Sequence, residues 1–442
     1  MGIEESQDAK NIVVGVIGVG YVGLPLAICF SDKFRVYAYD ISVKKIESLK
    51  NGISYIDDVT DEMIKKSLGK SFFPTTSEED LKNCNYIMIA VPTPIDEDNN
   101  PNLLPVIEST KTLSKVLQKG QTVILESTTY PGTVEEVMAP ILEKSGLKFK
   151  KDFFMAYSPE RIDPGNKKNT IYNTPKIVGG CDKDTTKRVR NIYQSVISAP
   201  IITVSSIRAA EATKIFENVF RAVNIALVNE LSLVFDNMGI NIWEVINAAS
   251  TKPMGFMAHY PGIGVGGHCI PVDPYYLSFK ARKMGHTTRF IELAGEINSY
   301  MPIHTSYLVS DALSKIGMDI ESSRVTVLGV AYKPDTYDTR DSPSLDLISH
   351  LMENVGEIKY YDPYVPSVKI GDTLLESCRN IDEALDCDCL VLAVAHNKFL
   401  DHPLEELILK YGVKAVVDGK NILKKEMLKG IIYKCIGNGE RI

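Results

Sequence analysis

Three short segments near the beginning of the chain recur, in the same order, near its end. The matched pairs are 16–21 (VIGVGY) with 327–332 (VLGVAY), 36–40 (VYAYD) with 358–362 (IKYYD), and 84–91 (CNYIMIAV) with 387–394 (CDCLVLAV). Around each copy, apolar strand-like runs alternate with helical or turn-rich stretches, which is typical of a parallel sheet covered on both faces. The sequence therefore predicts an α/β protein with two doubly wound domains, of which the second lacks an intact glycine fingerprint.

A long helical pattern with few breakers separates the two copies, from 207 to about 239. The 442 residues of the chain also exceed the size at which a single hydrophobic core keeps growing. We therefore predict an N-terminal domain over 1–205, a central helical domain over 206–318 and a C-terminal domain over 319–442.

Composition and charge narrow the possible functions. Hydrophobic residues make up 44% of the chain, and no stretch approaches the ~20 apolar residues that a membrane helix needs. A net charge of -7 argues against nucleic-acid binding driven by phosphate neutralisation. The polar, acidic N-terminus lacks the pattern of a secretory signal, so we expect a cytoplasmic protein with reduced thiols. The cysteines and histidines form no CxxC or HExxH pattern, so we expect no metal site.

The segment 18–23 (GVGYVG) fits GxGxxG, with an apolar strand-like run before it and a helical pattern after it. Glycines here allow a tight turn and the close approach of a pyrophosphate, whose charge the helix N-terminus favours. Asp40 ends the next strand-like run and is suited to ribose hydroxyls, whereas it would repel a 2′-phosphate, so NAD is favoured over NADP despite Lys45. The predicted cofactor contacts here are Gly18, Val19, Gly20, Tyr21, Val22, Gly23, Asp40 and Lys45.

A second loop, 91–94 (VPTP), follows the strand-like run that starts near Tyr86. In a parallel sheet the carboxyl ends of the strands meet at one edge, so this loop should border the same crevice. We therefore expect Pro92 and Thr93 to contact the cofactor as well.

A loop rich in glycine and proline, 261–274 (PGIGVGGHCIPVDP), surrounds Cys269. Structural thiols usually stand within apolar runs, as Cys29, Cys84 and Cys389 do, whereas this loop suits close approach of a substrate. A thiol beside a nicotinamide can attack an aldehyde to give a thiohemiacetal, whose oxidation gives a thioester that water hydrolyses to an acid. Cys269 is therefore a candidate covalent catalyst.

Three further side chains suit the same chemistry. Asp273 follows Cys269 by four residues, and Lys214 and Asn218 lie four apart on one helical face. These are residue types that orient water or hold an oxyanion. A hydrolase dyad of His268 and Cys269 is the less favoured alternative, because neighbouring side chains commonly diverge and a dinucleotide site does not serve hydrolysis.

Six ordered motifs resemble those of a known family, the nucleotide-sugar 6-dehydrogenases. They are GVGYVGLPLA from Gly18, VPTP from Val91, ESTTYPGT from Glu126, YSPERIDPG from Tyr157, GGHCIPVDPYYL from Gly266 and GVAYKPDTYDTRDSPS from Gly329. The resemblance covers essentially the whole chain. It implies two Rossmann-like domains joined by a central helical domain, whose long helix mediates homodimerisation or higher assembly.

The resemblance also implies a reaction that consumes two NAD per UDP-sugar, with a role for each matching residue. Cys269 resembles the nucleophile, Asp273 and Thr128 the water-positioning groups, and Lys214 with Asn218 the oxyanion-stabilising pair. Thr128 and Arg340 are further expected at the cofactor, and Lys420 stands where relatives often carry Arg. The expected substrate contacts are Glu160, which is also an expected catalytic residue, Arg161, Lys214, Asn218, Arg221, Asn224, His259, Gly266 and Lys333.

Within this family, the segments 251–256 (TKPMGF) and 287–293 (TTRFIEL), with His268, are similar to the subgroup that oxidises N-acetylated UDP sugars. UDP-N-acetylglucosamine is the favoured substrate, and UDP-ManNAc, UDP-GalNAc and UDP-glucose are alternatives. Two other classes remain open at this point: a two-electron dehydrogenase of the hydroxyacid type, and a non-enzymatic regulator that senses NAD.

Overall fold

The structure is a computed structural model, and it describes residues 12–96, 98–162 and 168–439. The chain divides into two compact units. The first runs up to Glu217 and includes Tyr275–His286, whereas the second consists of Asn218–Pro274 and the chain from Thr287 onward. The boundaries at 205 and 318 stay a prediction, because the long central helix belongs partly to each unit.

The first unit is built on an eight-stranded sheet. Its strands are β1 Val13–Ile17, β2 Arg35–Tyr39, β3 Phe72–Thr75, β4 Tyr86–Ile89, β5 Thr122–Leu125, β6 Phe154–Tyr157, β7 Lys176–Gly180 and β8 Ile201–Thr203. The order across the sheet is β3-β2-β1-β4-β5-β6-β7-β8, and every neighbouring pair is parallel except β6 with β7. The first six strands therefore have the 3-2-1-4-5-6 order of a dinucleotide-binding fold.

Helices accompany this sheet, and short polar caps begin several of them. The helices are α1 Gly23–Ser31, α2 Val43–Lys50, α3 Asp61–Ser67, α4 Leu104–Ser114, α5 Ala139–Leu142, preceded by the π-helical turn Val134–Met138, and α6 Lys183–Val196. Ser42, Thr60 and Asp182 each accept a hydrogen bond from a backbone N–H of the helix that follows, which satisfies donors left free in a first turn.

The carboxyl ends of five central strands place the sequence motifs along one edge of this sheet. The strands β1, β2, β4, β5 and β6 lead directly into the glycine turn, Asp40, the 91–94 loop, the segment that begins at Glu126 and the segment that begins at Ser158. Parallel strands end at the same edge, so motifs far apart in sequence come together there. The strand-like runs predicted before the glycine turn, at 36–40 and from near Tyr86 are confirmed as β1, β2 and β4.

A helix of 32 residues, α7 Ile207–Met238, follows the first sheet and confirms the long helical pattern. It contains an 18-residue stretch that is, by length and composition alone, long and apolar enough to cross a membrane. The expectation that no stretch approaches this requirement was therefore wrong. A single such helix is weak evidence for a membrane span, because a core or interface helix has the same composition.

The second unit contains a five-stranded parallel sheet in the order β10-β9-β13-β14-β15, and a separate hairpin. The strands are β9 Arg324–Leu328, β10 Glu357–Tyr361, β11 Ser367–Ile370, β12 Thr373–Glu376, β13 Cys389–Leu392, β14 Ala415–Asp418 and β15 Ile432–Cys435. The remaining helices are α8 Ile242–Ala249, α9 Asp273–Lys283, α10 Arg289–Lys315, α11 Pro343–Met352, α12 Ile381–Ala384, α13 Asn397–Leu400 and α14 Leu404–Tyr411. Of these, α9 lies mostly in the first unit.

The recurrence of the three segments is confirmed, because the matching segments occupy corresponding strands of the two sheets. In each sheet the first strand pairs on one side with the second strand and on the other with the strand that begins near the recurring cysteine, so β2-β1-β4 corresponds to β10-β9-β13. Gly18 and Gly329 follow the two first strands with φ of 90° and 87°. The predicted pair of Rossmann-like domains is therefore present, with a long helix between them in the chain.

Candidate active site

The glycine turn after β1 has no room for side chains at two of its three glycines. A methyl group on Gly18 would lie 2.5 Å from the carbonyl oxygen of Ala90, and one on Gly23 would lie 1.7 Å from that of Gly18. A methyl group on Gly20, in contrast, would meet no atom within 4 Å. Two glycines therefore serve the fold, and the third leaves open space over the helix N-terminus, which fits a pyrophosphate.

Asp40 braces the same turn from the end of β2. One carboxylate oxygen accepts a hydrogen bond from the Val19 N–H at 3.0 Å, and the other accepts one from the Ser42 N–H at 2.8 Å. The Lys45 ammonium lies 3.3 Å from the carboxylate, but its side chain is 41% exposed. Asp40 thus stands beside the open space with one exposed partner that a ribose could displace, and the residues fit NAD.

The 91–94 loop is tied to the segment after β5 through Ser127. Its hydroxyl accepts from the Val91 N–H at 2.9 Å and donates to the Val91 carbonyl at 2.7 Å. Pro92 is exposed and Thr93 is half-buried. The neighbouring Thr128 is half-buried, and its hydroxyl has no hydrogen bond to any residue that the structure describes. It is therefore available to a ligand or a water.

A charged cluster, in which Lys176 and Glu126 are fully buried, lies after the end of β5 and at the start of β7. The Lys176 ammonium is 2.6 Å from Glu126, 3.0 Å from the Pro159 carbonyl and 3.6 Å from Glu160. The Tyr193 hydroxyl also donates to Glu126. Burial raises the pKa of Glu126 to about 6 against the opposing effect of Lys176. Burial also lowers the pKa of Lys176, but the two carboxylates outweigh it and the net shift is upward.

Glu160 turns back on its own backbone, with one oxygen accepting from the N–H groups of Arg161 and Ile162 at 2.7 and 2.9 Å. The Arg161 guanidinium donates to Glu217 at 2.6 and 3.3 Å and to the Pro175 carbonyl at 2.8 Å. The Glu160 carboxylate and the Arg161 guanidinium therefore have different partners, and Arg161 joins this loop to α7. The end of this motif, from Asp163, lies outside the described residues.

Lys214 is 9% exposed on α7, with no hydrogen bond or ion pair to another described residue. A buried ammonium without a partner is costly, so this position suits an anionic group. One turn later, in the second unit, the Asn218 amide donates to the buried carboxylate of Asp273. The other residues predicted on this helix are Arg221, which is exposed, and Asn224, whose amide donates to the Phe220 carbonyl at 2.7 Å.

The Cys269 loop closes a short turn onto Asp273, whose N–H donates to the Cys269 carbonyl at 2.8 Å. Because Asn218 also bonds Asp273, the predicted nucleophile and two of its three predicted helpers belong to one local assembly in the second unit. Cys269 is half-buried, whereas burial raises the pKa of Cys29 and Cys84 to about 12 each.

The same loop packs tightly on the segment 332–343. A methyl group on Gly266 would lie 2.8 Å from the Asp341 carbonyl, and one on Gly267 would lie 2.8 Å from the Tyr332 ring. The Gly267 N–H also donates to the Arg340 carbonyl at 3.2 Å. Gly266 is therefore required by the close approach of the Asp341 backbone, and Gly267 by the close approach of the Tyr332 ring.

Three other predicted residues of the second unit have local contacts. The exposed Arg340 guanidinium bonds the Asp338 carboxylate, and the Lys333 ammonium lies 5.4 Å from the centre of the Tyr332 ring. The His259 ring makes an edge contact with Phe220. These contacts neither require nor prevent ligand binding.

Comparison with known proteins explains this arrangement. Three domain models match the chain: the NAD binding domain of the UDP-glucose/GDP-mannose dehydrogenase family over residues 12–197, its central domain over 208–300 and its UDP binding domain over 326–425. The chain belongs to the UDP-glucose/GDP-mannose dehydrogenase family. It is an oxidoreductase that uses NAD, and its second sheet belongs to a UDP binding domain.

Relatives within the family carry different substrate names. The chain is 38% identical to UDP-N-acetyl-D-glucosamine 6-dehydrogenase of Pseudomonas aeruginosa, over 90% of this chain and 94% of that protein. It is 37% identical to UDP-N-acetyl-D-mannosamine dehydrogenase of Pyrococcus horikoshii, over 97% and 99%. A solved structure of the UDP-D-ManNAc dehydrogenase from Pyrococcus horikoshii matches with a TM-score of 0.89 at 35% identity, over 97% of this chain and all of that one.

The predicted residues divide between the two units of the chain. In the first unit are the glycine turn, Asp40, Lys45, Pro92, Thr93, Thr128, Glu160, Arg161 and Lys214; in the second are Asn218, Arg221, Asn224, His259, Gly266, Cys269, Asp273, Lys333 and Arg340. Sequence reasoning missed Lys176 and Glu217, which contact Glu160 and Arg161. It also missed Glu211, which accepts hydrogen bonds from the backbone of the segment that follows Thr128. One signal was present for Lys176, a single lysine at the start of the buried run IVGG.

Proposed function

We propose that this dehydrogenase oxidises the C6 alcohol of a UDP-N-acetylhexosamine to the carboxylate, with UDP-N-acetylglucosamine as the preferred substrate. The observation that carries the proposal is the packing of the Cys269 loop on the segment 332–343 of the UDP binding domain. A nucleotide held by that domain would bring its sugar to the loop that carries the thiol. Conversion of an alcohol to an acid removes four electrons, and NAD when bound supplies the acceptor for each hydride.

In this proposal different residues of the chain carry out the steps that follow formation of the aldehyde. The Cys269 thiolate attacks the aldehyde carbon to give a thiohemiacetal, and loss of a second hydride leaves a thioester. Lys214, which has no ion pair among the residues that the structure describes, offers a cation for the oxyanion that forms in the attack. Asp273, whose carboxylate is held by Asn218, and Thr128 orient the water that releases the acid.

The acetamido sugar is favoured over glucose by the subgroup motifs at 251–256 and 287–293. The same reaction on UDP-N-acetylmannosamine is the second candidate, because relatives named for the two sugars are 38% and 37% identical to this chain. Discrimination between two epimers depends on whether the site forms a hydrogen bond with one hydroxyl or amide of the sugar. A site built to bond that group discriminates strongly against a sugar that lacks it in the right position.

Stoichiometry tests the reaction class. The chain is incubated with NAD and, separately, UDP-N-acetylglucosamine, UDP-ManNAc, UDP-GalNAc and UDP-glucose, and NADH is measured against sugar consumed. We expect two NADH per sugar and the highest kcat/KM with UDP-N-acetylglucosamine. A ratio of one would replace the proposal with a two-electron dehydrogenase, and a higher kcat/KM with another sugar would reassign the substrate.

Replacement of the thiol tests the covalent step. Cys269→Ser should lower acid formation by at least 100-fold. The serine hydroxyl is not ionised near neutral pH, and an ester is hydrolysed more slowly than a thioester. Cys181→Ser is the matched control, since Cys181 is also half-buried but contacts Asp182 and Thr185 away from the glycine turn. Unchanged acid production by Cys269→Ser would remove Cys269 from the mechanism.

We also propose that the enzyme is a cytoplasmic homodimer or higher homo-oligomer. The support is a set of exposed apolar side chains on two long helices, in place of the polar face that an isolated helix presents to water. These side chains are Phe220, Leu227, Val234 and Met238 on α7 and Phe290 and Leu293 on α10. Light scattering after size exclusion should give a mass of at least twice 49.0 kDa, and Leu227→Asp should lower it.

A further inference from the structure

Three charged side chains stand at three-residue intervals on the first turns of α7. They are Glu211, Lys214 and Glu217, and this spacing places them along one side of the helix. All three belong to the first unit. Lys214 has no hydrogen bond or ion pair among the described residues, whereas each glutamate holds a different loop of the sheet edge.

Glu211 is completely buried, and both of its carboxylate oxygens accept backbone hydrogen bonds. One accepts from the Gly132 N–H at 2.6 Å and the other from the Val134 N–H at 3.0 Å. These are donors in and just before the first turn of the π-helical segment, where no carbonyl within the helix is available to them. Gly132 has a φ of 104°, which side-chain-bearing residues rarely adopt. The bidentate contact therefore depends on a turn shaped for it.

This turn is the second half of the motif that carries Thr128. Its residues are bonded among themselves, since the Thr133 hydroxyl pairs with Thr129 and donates to the Tyr130 carbonyl at 2.8 Å. On the other side of Thr128, Ser127 is bonded to Val91. The described neighbours of Thr128 are thus fixed on both sides. Glu211 then attaches the fixed segment to the helix that carries Lys214.

Glu217 makes the equivalent attachment to the other loop. It holds the Arg161 guanidinium through two hydrogen bonds, and Arg161 is the residue next to Glu160. Lys214 therefore stands on α7 between two anchors, one to the loop of Thr128 and one to the loop of Glu160. A change of either anchor would shift Lys214 relative to a group that we propose takes part in the reaction.

We propose that Glu211 is a positioning residue for the dehydrogenase, which fixes the Thr128 segment against α7 and so sets the geometry between Thr128 and Lys214. The inference rests on the proposed function, since it takes its importance from the roles given there to those two residues. Glu211 itself touches neither the glycine turn nor Asp40, so it should act on turnover and leave cofactor binding unchanged. A displacement of about 1 Å at a reacting group is enough to lower a rate by about 100-fold.

Several ionisable groups surround Glu211. Arg208 lies on the same helix and favours its ionised form, whereas Glu135 disfavours it, and Glu136 and Tyr130 lie on the segment packed against it. Burial is the largest effect and raises the pKa of Glu211 to about 7. A neutral carboxyl is a weaker acceptor than a carboxylate. The hydrogen bonds from Gly132 and Val134 to Glu211 therefore weaken as the pH falls through this value.

The test compares Glu211→Gln with Glu135→Gln in the complete enzyme. Glu135 stands on the same π-helical segment and pairs with Arg208 and Lys150, but does not hold the turn. We expect Glu211→Gln to lower kcat by at least 10-fold with the KM for NAD within twofold of wild type, and to lose the limb of the kcat–pH profile near pH 7. Glu135→Gln should keep kcat and KM, and should keep this limb but move it to lower pH, because Glu135 no longer disfavours ionisation of Glu211.

A folded Glu211→Gln variant with wild-type kcat, or one whose KM for NAD changes as much as kcat, would overturn the inference. If circular dichroism shows that Glu211→Gln does not fold, Glu211→Asp takes its place, because it keeps the charge but cannot reach both donors at once. A kcat between 2- and 10-fold below wild type is then expected, and wild-type kcat overturns the inference. Absence of NADH formation by the wild-type enzyme with every UDP-sugar is a separate result, which refutes the proposed function itself.

Discussion

The two sheets end their second strands in the same residue type and use it differently. In the first unit the Asp40 carboxylate accepts from two backbone N–H groups and from the exposed Lys45. In the second unit the Asp362 carboxylate accepts from Val330 and Ala331 at one oxygen, and at the other from the N–H groups of Tyr364 and Val365 at 2.9 and 3.2 Å. Asp362 thus has more partners, and all of them are internal.

A histidine completes the difference. The His396 Nδ1 accepts from the Asp335 N–H at 2.9 Å, so its proton resides on Nε2, which donates to Asp362 at 3.0 Å. His396 and the side chain of Asp362 are completely buried. In place of the open position at Gly20, the second copy has the buried Ala331. Both carboxylates are buried, but Asp40 keeps one exposed partner that a ribose could displace, whereas its counterpart Asp362 is bonded within the core.

The strongest test of this difference is removal of the buried carboxylate. Asp362→Ala should lower the free energy of unfolding by about 3–5 kcal/mol, since it leaves a buried imidazole and several backbone donors without an acceptor. Urea denaturation measures the change, with the exposed Asp372→Ala as the control. A loss below 1 kcal/mol would mean that the internal bonds of Asp362 do not support the fold.

The next largest effect concerns the pH dependence of stability, which should differ between Glu126 in the first unit and Asp362 in the second. Burial raises the pKa of Glu126 from 4.5 to about 6, so the folded protein binds this proton more tightly than the unfolded chain does. The resulting stabilisation is complete below pH 4.5 and is lost as the pH rises through 6, by about 2 kcal/mol. For Asp362, burial opposes the hydrogen bond from His396, but the pKa is lowered overall, so its contribution persists until the pH falls below the ordinary value of 3.8.

Urea denaturation at pH 4.5 and pH 7.5 checks this prediction. Glu126→Gln should remove about 2 kcal/mol of the difference between the two pH values, whereas the exposed Glu108→Gln should leave the difference intact. The assignment fails if Glu126→Gln and wild type lose stability equally between these two values.

A smaller effect is expected at Asp40, whose replacement should change cofactor binding more than the stability of the fold. Asp40→Ala should raise the KM for NAD by about 10-fold, as expected for loss of charge-assisted bonds to ribose, and destabilise the fold by about 1 kcal/mol. The exposed Asp57→Ala provides the control. An unchanged KM for NAD would break the comparison, because Asp40 would then be as internal as Asp362.

The smallest effect is expected at Lys45, since exposed ion pairs contribute little. Lys45→Ala should change the KM for NAD by less than twofold and lower any residual activity with NADP, whose 2′-phosphate loses its nearest cation. Lys44→Ala is the neighbouring exposed control. A rise in the KM for NAD above fivefold would show that Lys45 is part of the ribose site.

Local sequence was sufficient where a motif and its structural cause lie in one stretch of chain. Sequence patterns predicted the glycine turn, Asp40 and the recurrence of three segments in the second half of the chain. In each case strand, turn and helix follow one another within a few tens of residues. Lys176, Glu211 and Glu217 were not, because their partners lie about 50 to 80 residues away and only the strand order brings them together. The long helix was predicted from its pattern, but its apolar composition was underestimated. The catalytic roles and domain boundaries stay predictions.

The buried pair of Lys176 and Glu126 also constrains how this enzyme can evolve. Replacement of either partner alone would leave an uncompensated charge in the core, at a cost of about 3–5 kcal/mol, which is a large part of the stability of a typical domain. A descendant that dispenses with the pair must therefore change both positions together or first gain stability elsewhere. Positions 126 and 176 should consequently vary jointly among descendants, although 50 residues separate them in the chain.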